Sequence, residues 1–309
     1  MIKNKAKLVP KKIRDKNGKA TTVWVKTDVA KVTKSKSVDE MTADEVVKEA
    51  FDPKGKFVDM KSIEIYTQGG KLSKGRAILH DKIVKDHFKG AKKYKKGEQI
   101  TSMMMGGAPA SGKSSVVDGG FLNIPEGTIH IDADNVKKKL PEYQVMSAKK
   151  DIEAAPFTHK ESSMITEKVL KKGTAENYSV MLDGTGDKSF EHVSSRVKVL
   201  RDAGHRVVAN YVTMDTELSV MLNKIRFKTE HRLVPEDYVR SVNRDITGIV
   251  TKAIETKLFD ELHLFDTNIE NKPRKILTFV NGELEIHDKN LYKVFLKKGN
   301  EKVEVKGGE

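Results

Sequence analysis

The string Gly107-Ala108-Pro109-Ala110-Ser111-Gly112-Lys113-Ser114 constrains this chain more than any other stretch of its sequence. It fits G-x-x-x-x-G-K-S, follows an apolar run at 100–105 that reads as a short buried strand, and opens a stretch that suits a helix. A chain wraps a triphosphate this way because the glycines allow a tight turn whose N–H groups point at phosphate oxygens. The helix that follows adds its positive end. On this reading Gly107, Ala108, Ser111, Gly112, Lys113, Ser114 and Ser115 bind the phosphates of ATP or GTP. Lys113 reaches the β- and γ-phosphates and the Ser114 hydroxyl is a ligand of Mg²⁺. A Gly/Ser-rich turn holding a lysine by accident would lack the strand before it and the helix after it.

Around this loop the pattern alternates. Apolar runs at 128–131, 179–182, 207–212 and 263–265 read as further buried strands, and 160–172, 188–203, 216–229 and 236–259 suit helices. This order predicts an α/β fold of the P-loop NTPase type, a mostly parallel sheet sandwiched by helices, with ligands at the carboxyl ends of its strands. Asn281-Gly282 between 275–280 and 283–287 predicts a closing hairpin. Residues 1–74 read as a small basic α+β module. Its hairpin turns at Asp15-Lys16-Asn17-Gly18, Ser37 and Glu40 have capping-box spacing, and 42–50 suits a short helix. The expected organisation is a basic module at 1–74, a kinase-type body at 75–290 that begins with an amphipathic helix at 75–89, and a Lys-rich tail at 291–309.

Charge separates the same parts. The 309 residues carry a formal net charge of +14, and residues 1–100 hold 26 Lys+Arg against 13 Asp+Glu while the rest is close to neutral. The basic third suits either contact with nucleic acid or a lysine-rich solvated surface. Only two arginines, Arg14 and Arg76, and few aromatics lie in it, which favours the solvated surface. There is no cysteine, so disulfides, thiolate metal sites and a thiol nucleophile are excluded. The histidines share no ligand spacing. No run is long and apolar enough to cross a membrane, and the basic N-terminus has no apolar segment behind it. A cytoplasmic protein is expected.

Two strand tips carry carboxylates. One reads Ile131-Asp132-Ala133-Asp134 and the other Met181-Leu182-Asp183-Gly184-Thr185-Gly186. Asp132 suits a helix cap. Asp134 and Asp183 suit the acidic partners that a phosphate loop needs, to hold Mg²⁺ or to take a proton from a substrate.

GGAPASGKSS, IDADNVKKKLPEY, SSMITEKVLKKG, SVMLDGTG and IRFKTEHRLVP, in this order and at these intervals, resemble the zeta toxin family of P-loop kinases, phage-encoded members included. The resemblance covers about residues 76–290 and implies an ATP- and Mg²⁺-dependent phosphotransferase acting on a hydroxyl, in the best-known members that of UDP-N-acetylglucosamine. It implies Asp134 as general base, Glu167 and Thr185 as acceptor contacts, Arg226 and Arg232 as the clamp on the migrating phosphoryl group, and Asp183 beside Ser114 at the metal. It leaves an antitoxin or a virion protein as partner. Three positions depart from the family pattern. Ala110 replaces a glycine, which is tolerable if its φ is negative, Asp183 stands where Glu is common, and 144–166, with Lys149, Lys150, His159 and Lys160, matches no sugar-nucleotide site residue by residue. A polynucleotide kinase, or a virion-associated protein whose body only binds nucleotide, stands as the alternative. A regulatory GTPase is disfavoured by the lack of an N-K-x-D-like signature.

Overall fold

The computed structural model describes residues 7–14, 20–27, 36–184, 189–230 and 234–300. The chain divides into two units, Met1–Met41 and Thr42–Glu309. In the first, strands β1 (Lys7–Arg14) and β2 (Ala20–Thr27) pair antiparallel from Lys7↔Thr27 to Arg14↔Ala20. The turn expected at 15–18 lies outside the described residues. A 3₁₀ turn at Val38–Glu40 follows, closed by Ser37 and Glu40 as a capping box.

The second unit opens with α1 (Ala43–Phe51), α2 (Ser62–Ile65), a minimal ribbon of β3 (Thr67–Gln68) and β4 (Lys71–Leu72), and α3 (Lys74–His87). Thr42 caps α1 by accepting from Glu45 N, and Ser73 caps α3 by accepting from Arg76 N. The alternating part then runs through β5 (Thr101–Gly106), α4 (Lys113–Asp118), β6 (Ile129–Ile131), α5 (Ala133–Lys137), α6 (Pro141–Ala148) and α7 (Ala154–Ala175). It continues with β7 (Val180–Asp183), α8 (Phe190–Asp202), β8 (Arg206–Thr213), α9 (Thr216–Glu230), α10 (Glu236–Glu255) and β9 (Glu261–Asp266). The hairpin of β10 (Arg274–Val280) and β11 (Glu283–Ile286) turns at Asn281 and Gly282, whose φ values of 52° and 87° are those that an Asn-Gly hairpin turn needs. Helix α11 (Lys289–Lys298) ends the described chain.

The seven-stranded sheet has the order β11-β10-β9-β8-β5-β7-β6, with β9, β8, β5, β7 and β6 parallel. Met104 joins the large core on one face with Tyr211, Leu264 and Ile246, while Met103 and Met105 pack on the other with Met181 and Val208. Strands apolar on both sides are what a sheet covered by helices requires, and the expected fold class holds.

The sequence-based boundary after 74 differs from the structural division after 41. Residues 42–74 pack where α1 meets α6 and α2 meets α7. The tie is a buried ionic cluster. Arg76 on α3 bonds Glu161 on α7 through Nε at 2.5 Å and Glu142 on α6 through Nη2 at 2.7 Å, and all three side chains are almost fully buried. Tyr66 donates to Glu142 at 2.5 Å and lies flat under the Arg76 guanidinium. His80 Nε2 meets Glu161 Oε1 at 2.7 Å. Burial alone would raise the Glu161 carboxyl, but its bonds to His80 and Arg76 outweigh that and bring it from the usual 4.5 down to about 2. A lowered carboxylate pKa adds stability that is complete above about pH 4.5 and is lost as pH falls through about 2. Arg76→Met would strand two buried carboxylates. It should cost about 3–5 kcal/mol in urea unfolding, and a loss under about 1 kcal/mol would contradict the tie. The 291–309 stretch also holds more than a lysine-rich tail, since Phe295 of α11 is fully buried in the core and Lys298 is buried beside it.

Candidate functional site

The phosphate loop leaves β5 at Gly106 and enters α4 at Lys113. Close packing dictates its glycines. A Cβ on Gly107 would stand 2.4 Å from Val212 Cγ2 and 2.7 Å from Ser111 Oγ, and Gly112 has a φ of 76°. Ala110 corrects the expectation of a negative φ: it is held at 58°, in the left-handed region that glycine fills without strain in the usual form of this loop. A side chain there costs about 1–2 kcal/mol. Ala110→Gly should therefore stabilise the protein by about 1 kcal/mol in chemical denaturation, and a destabilisation would show that the Ala110 methyl is needed for packing.

Inside the loop the Lys113 ammonium donates to Gly107 O at 2.7 Å and to Ala108 O at 3.2 Å. It is thus held over the concave side of the turn. Ser111 is buried and its Oγ has no hydrogen-bond partner among the described residues. Two flanking elements brace the turn from outside. Ser219 Oγ on α9 donates to Pro109 O at 2.8 Å, and Thr267 Oγ1, just past β9, donates to Ser111 O at 2.7 Å. Ser114 is exposed at the mouth of the loop, and Ser115 lies half-buried one residue on.

Parallel pairing brings the carboxylates to this loop. Met105 on β5 is in register with Asp183 on β7, and Leu182 with Ile131 on β6, so both acidic strand tips open beside Gly107. Asp183 Oδ2 lies 3.4 Å from His130 Nε2, and Asp183 Oδ1 is buried without a partner among the described residues. That bond to Asp183 raises the His130 pKa against the opposing effect of burial. The buried Asp183 oxygen without a donor and the exposed Ser114 hydroxyl are oxygen ligands of the kind that Mg²⁺ takes. Among the described residues no group of three or more His, Asp or Glu is arranged to hold a metal by itself, which suits an ion held mainly by phosphates.

Asp132 is the cap that its sequence suggests, accepting from Asp134 N at 2.8 Å. Burial raises its carboxyl, with the Asp134 and Asp183 charges adding to the effect. Asp134 sits in the first turn of α5, one-third exposed, with Lys137 Nζ 3.0 Å from its Oδ1. Glu167 on α7 pairs with Arg196 on α8, and the pair lines a small cleft with Asp183, Ala133, Thr166 and Leu182. Glu167 and Asp183 therefore face one small cleft. Arg226 is exposed on α9. It stands seven residues, about 10 Å and two turns, beyond Ser219 on the same stripe of the helix that touches the loop. Thr185 and Arg232 lie outside the described residues.

Sequence reasoning missed Arg196, His130, Ser219 and Thr267 as members of this site. None carries a local signal. Arg196 is one of several charged residues on α8, and each of the others gains its role from a strand register or a contact more than fifty residues distant.

Comparison with known proteins adds to this geometry. The zeta toxin family model matches residues 85–281. Toxin zeta of Streptococcus pyogenes is 24% identical over 167 residues, which span 54% of this chain and 57% of that protein. Among solved structures, the AvrRxo1-ORF1:AvrRxo1-ORF2 complex with sulphate ions superposes with a TM-score of 0.61 at 17% identity, over 77% of this chain and 82% of the other. The same pair of proteins, in a structure with ATP, gives 0.58 at 16% identity over 81% and 85%. The PezAT chromosomal toxin–antitoxin system of Streptococcus pneumoniae gives 0.54 at 16% identity over 74% and 97%. At these identities the structural likeness is one of fold.

Proposed function

Since the chain belongs to the zeta toxin family, we propose that it is an ATP-dependent phosphotransferase with a hydroxyl as acceptor. One observation carries this reading: the strand that ends in Asp183 is in register with the strand that leads into the phosphate loop and its inward-turned Lys113, and Asp183 shares one small cleft with the Glu167–Arg196 pair.

In this mechanism the loop N–H groups and Lys113 hold the β- and γ-phosphates of ATP, and Ser114 and Asp183 would hold Mg²⁺. The ion, when bound, neutralises charge that gathers on the phosphate oxygens. Glu167 holds the acceptor hydroxyl towards Asp134, and the family resemblance adds Thr185 as a second contact. The acceptor oxygen attacks the γ-phosphorus, the bond from that phosphorus to the β-γ bridging oxygen breaks, and the hydroxyl proton passes to Asp134. Lys137 fixes the direction of that carboxylate. Arg226 and Arg232 offset the transferring charge, a role that in related chemistry is worth ~10³–10⁵ in rate.

We place UDP-N-acetylglucosamine first among acceptors, on the strength of the family. An antitoxin as partner follows from the likeness to a toxin–antitoxin system. Among the described residues no helix is long and apolar enough to cross a membrane. The test is incubation of the full chain with γ-labelled ATP, Mg²⁺ and a panel of UDP-sugars, nucleosides, and RNA and DNA ends. Label on the UDP-sugar is the expected result. Label on nucleic-acid ends would assign the polynucleotide kinase alternative and give the basic N-terminal residues a role in binding.

A further inference from the structure

Helix α11 lies beyond the stretch that matches the family, yet its last residue, Lys298, bonds the end of β8, to which the phosphate loop is braced. Asp288 caps it, accepting from Asn290 N and Leu291 N, and buried Phe295 pins it against α10, where Thr247 donates to Phe295 O at 3.2 Å. This sets the direction of Lys298, which is only 6% exposed. Its ammonium donates to Thr213 Oγ1 at 2.9 Å and to Met214 O.

Those two residues end β8 and lead into α9. The Thr213 carbonyl accepts from Thr267 N at 3.0 Å and lies 3.1 Å from Thr267 Oγ1, the hydroxyl that donates to Ser111 O in the loop. Thr267 also packs on Gly112, where an added Cβ would stand 3.1 Å from Thr267 Cβ. On the other side, the Met214 carbonyl fixes the entry to α9, from which Ser219 holds Pro109 O. Lys298 thus grips the one junction from which both outer braces of the phosphate loop depart. A long flexible amine loses much rotamer freedom on burial, and a solvent-facing position would avoid that cost.

We infer that Lys298 is a positioning residue for nucleotide binding, which sets the phosphate loop through Thr213, Met214 and Thr267 without touching the nucleotide. The inference rests on the phosphotransferase reading for its ligand. Positioning of this kind is felt strongly, because small displacements of phosphate-binding groups cost about tenfold to a hundredfold.

The experiment is calorimetric titration of the full chain with Mg·ATP, for the parent, Lys298→Met, Thr267→Val and the double variant, with thermal unfolding beside each. Lys298→Met should weaken ATP about tenfold, and the double variant should be no weaker than the weaker single, since both act through one path. Ile83→Val, a core change away from the loop, controls for a general loss of stability and should leave ATP affinity unchanged. If Lys298→Met is too unstable to titrate, Lys298→Leu, which also removes both donated bonds, is read in the same way. A folded Lys298 variant within about twofold of the parent, or losses that simply add in the double variant, overturns the inference. A parent chain that binds no Mg·ATP overturns instead the reading on which it rests.

Discussion

Lys113→Ala should bind no measurable ATP in calorimetry while unfolding at nearly the parent temperature. In the loop the Lys113 ammonium contacts two carbonyl oxygens, of Gly107 and Ala108, and among the described residues it pairs with no carboxylate. Those carbonyls belong to the loop itself, so the ammonium is a positive charge held at the turn and available to an incoming phosphate. Transfer of its bonds from carbonyls to the β- and γ-phosphates replaces neutral acceptors with anionic ones, which are roughly twice as strong. Loss of several charged hydrogen bonds, each worth about 1.5–3 kcal/mol, takes affinity beyond calorimetric reach. The fold does not depend on this amine, because Thr267 and Ser219 hold the turn from outside. An unchanged ATP affinity in the folded variant would mean that the loop is not a nucleotide site.

Asp134→Asn should separate binding from chemistry. The substitution keeps the shape and leaves an oxygen that can accept from Lys137, whose Nζ is 3.0 Å from the native Oδ1. The Asp132 cap is untouched, since it takes its bond from the backbone N–H of residue 134. Only the capacity to accept a proton is lost. ATP affinity should therefore stay at the parent value, while phosphoryl transfer falls by about 10²–10⁴, the usual worth of a positioned general base. Turnover within a few-fold of the parent would make Asp134 a helix-turn residue with no part in the reaction.

The sequence shows the phosphate loop, the parallel strands and the final hairpin because each rests on residues adjacent in the chain. Gly-x-x-x-x-Gly-Lys-Ser is a local requirement of one turn, and Asn281-Gly282 of another. The pairing of Asp183 with the loop also follows once β5 and β7 are neighbours in register. Other features depend on contacts between distant segments. Arg76 meets Glu161 across 85 residues, and nothing near Arg76 distinguishes it from a surface charge. For that reason the basic composition of 1–74 suggests a boundary that the packing of residues 42–74 on α6 and α7 does not follow. Lys298 sits in a lysine-rich stretch, and only the insertion of Phe295 beside it turns it inwards. At Ala110 the sequence expectation failed on backbone conformation: the loop keeps the left-handed turn and the alanine bears the strain.

In the proposed reaction this site moves the γ-phosphoryl group of ATP to a hydroxyl. A ³¹P NMR time course of the full chain with Mg·ATP and UDP-N-acetylglucosamine, run beside Lys113→Ala, follows that transfer. A growing phosphomonoester signal on the sugar nucleotide, matched by ADP one for one, is expected from the parent, and no such signal from the variant. ATP converted only to ADP and inorganic phosphate, or a phosphomonoester formed equally well by Lys113→Ala, would contradict that reaction.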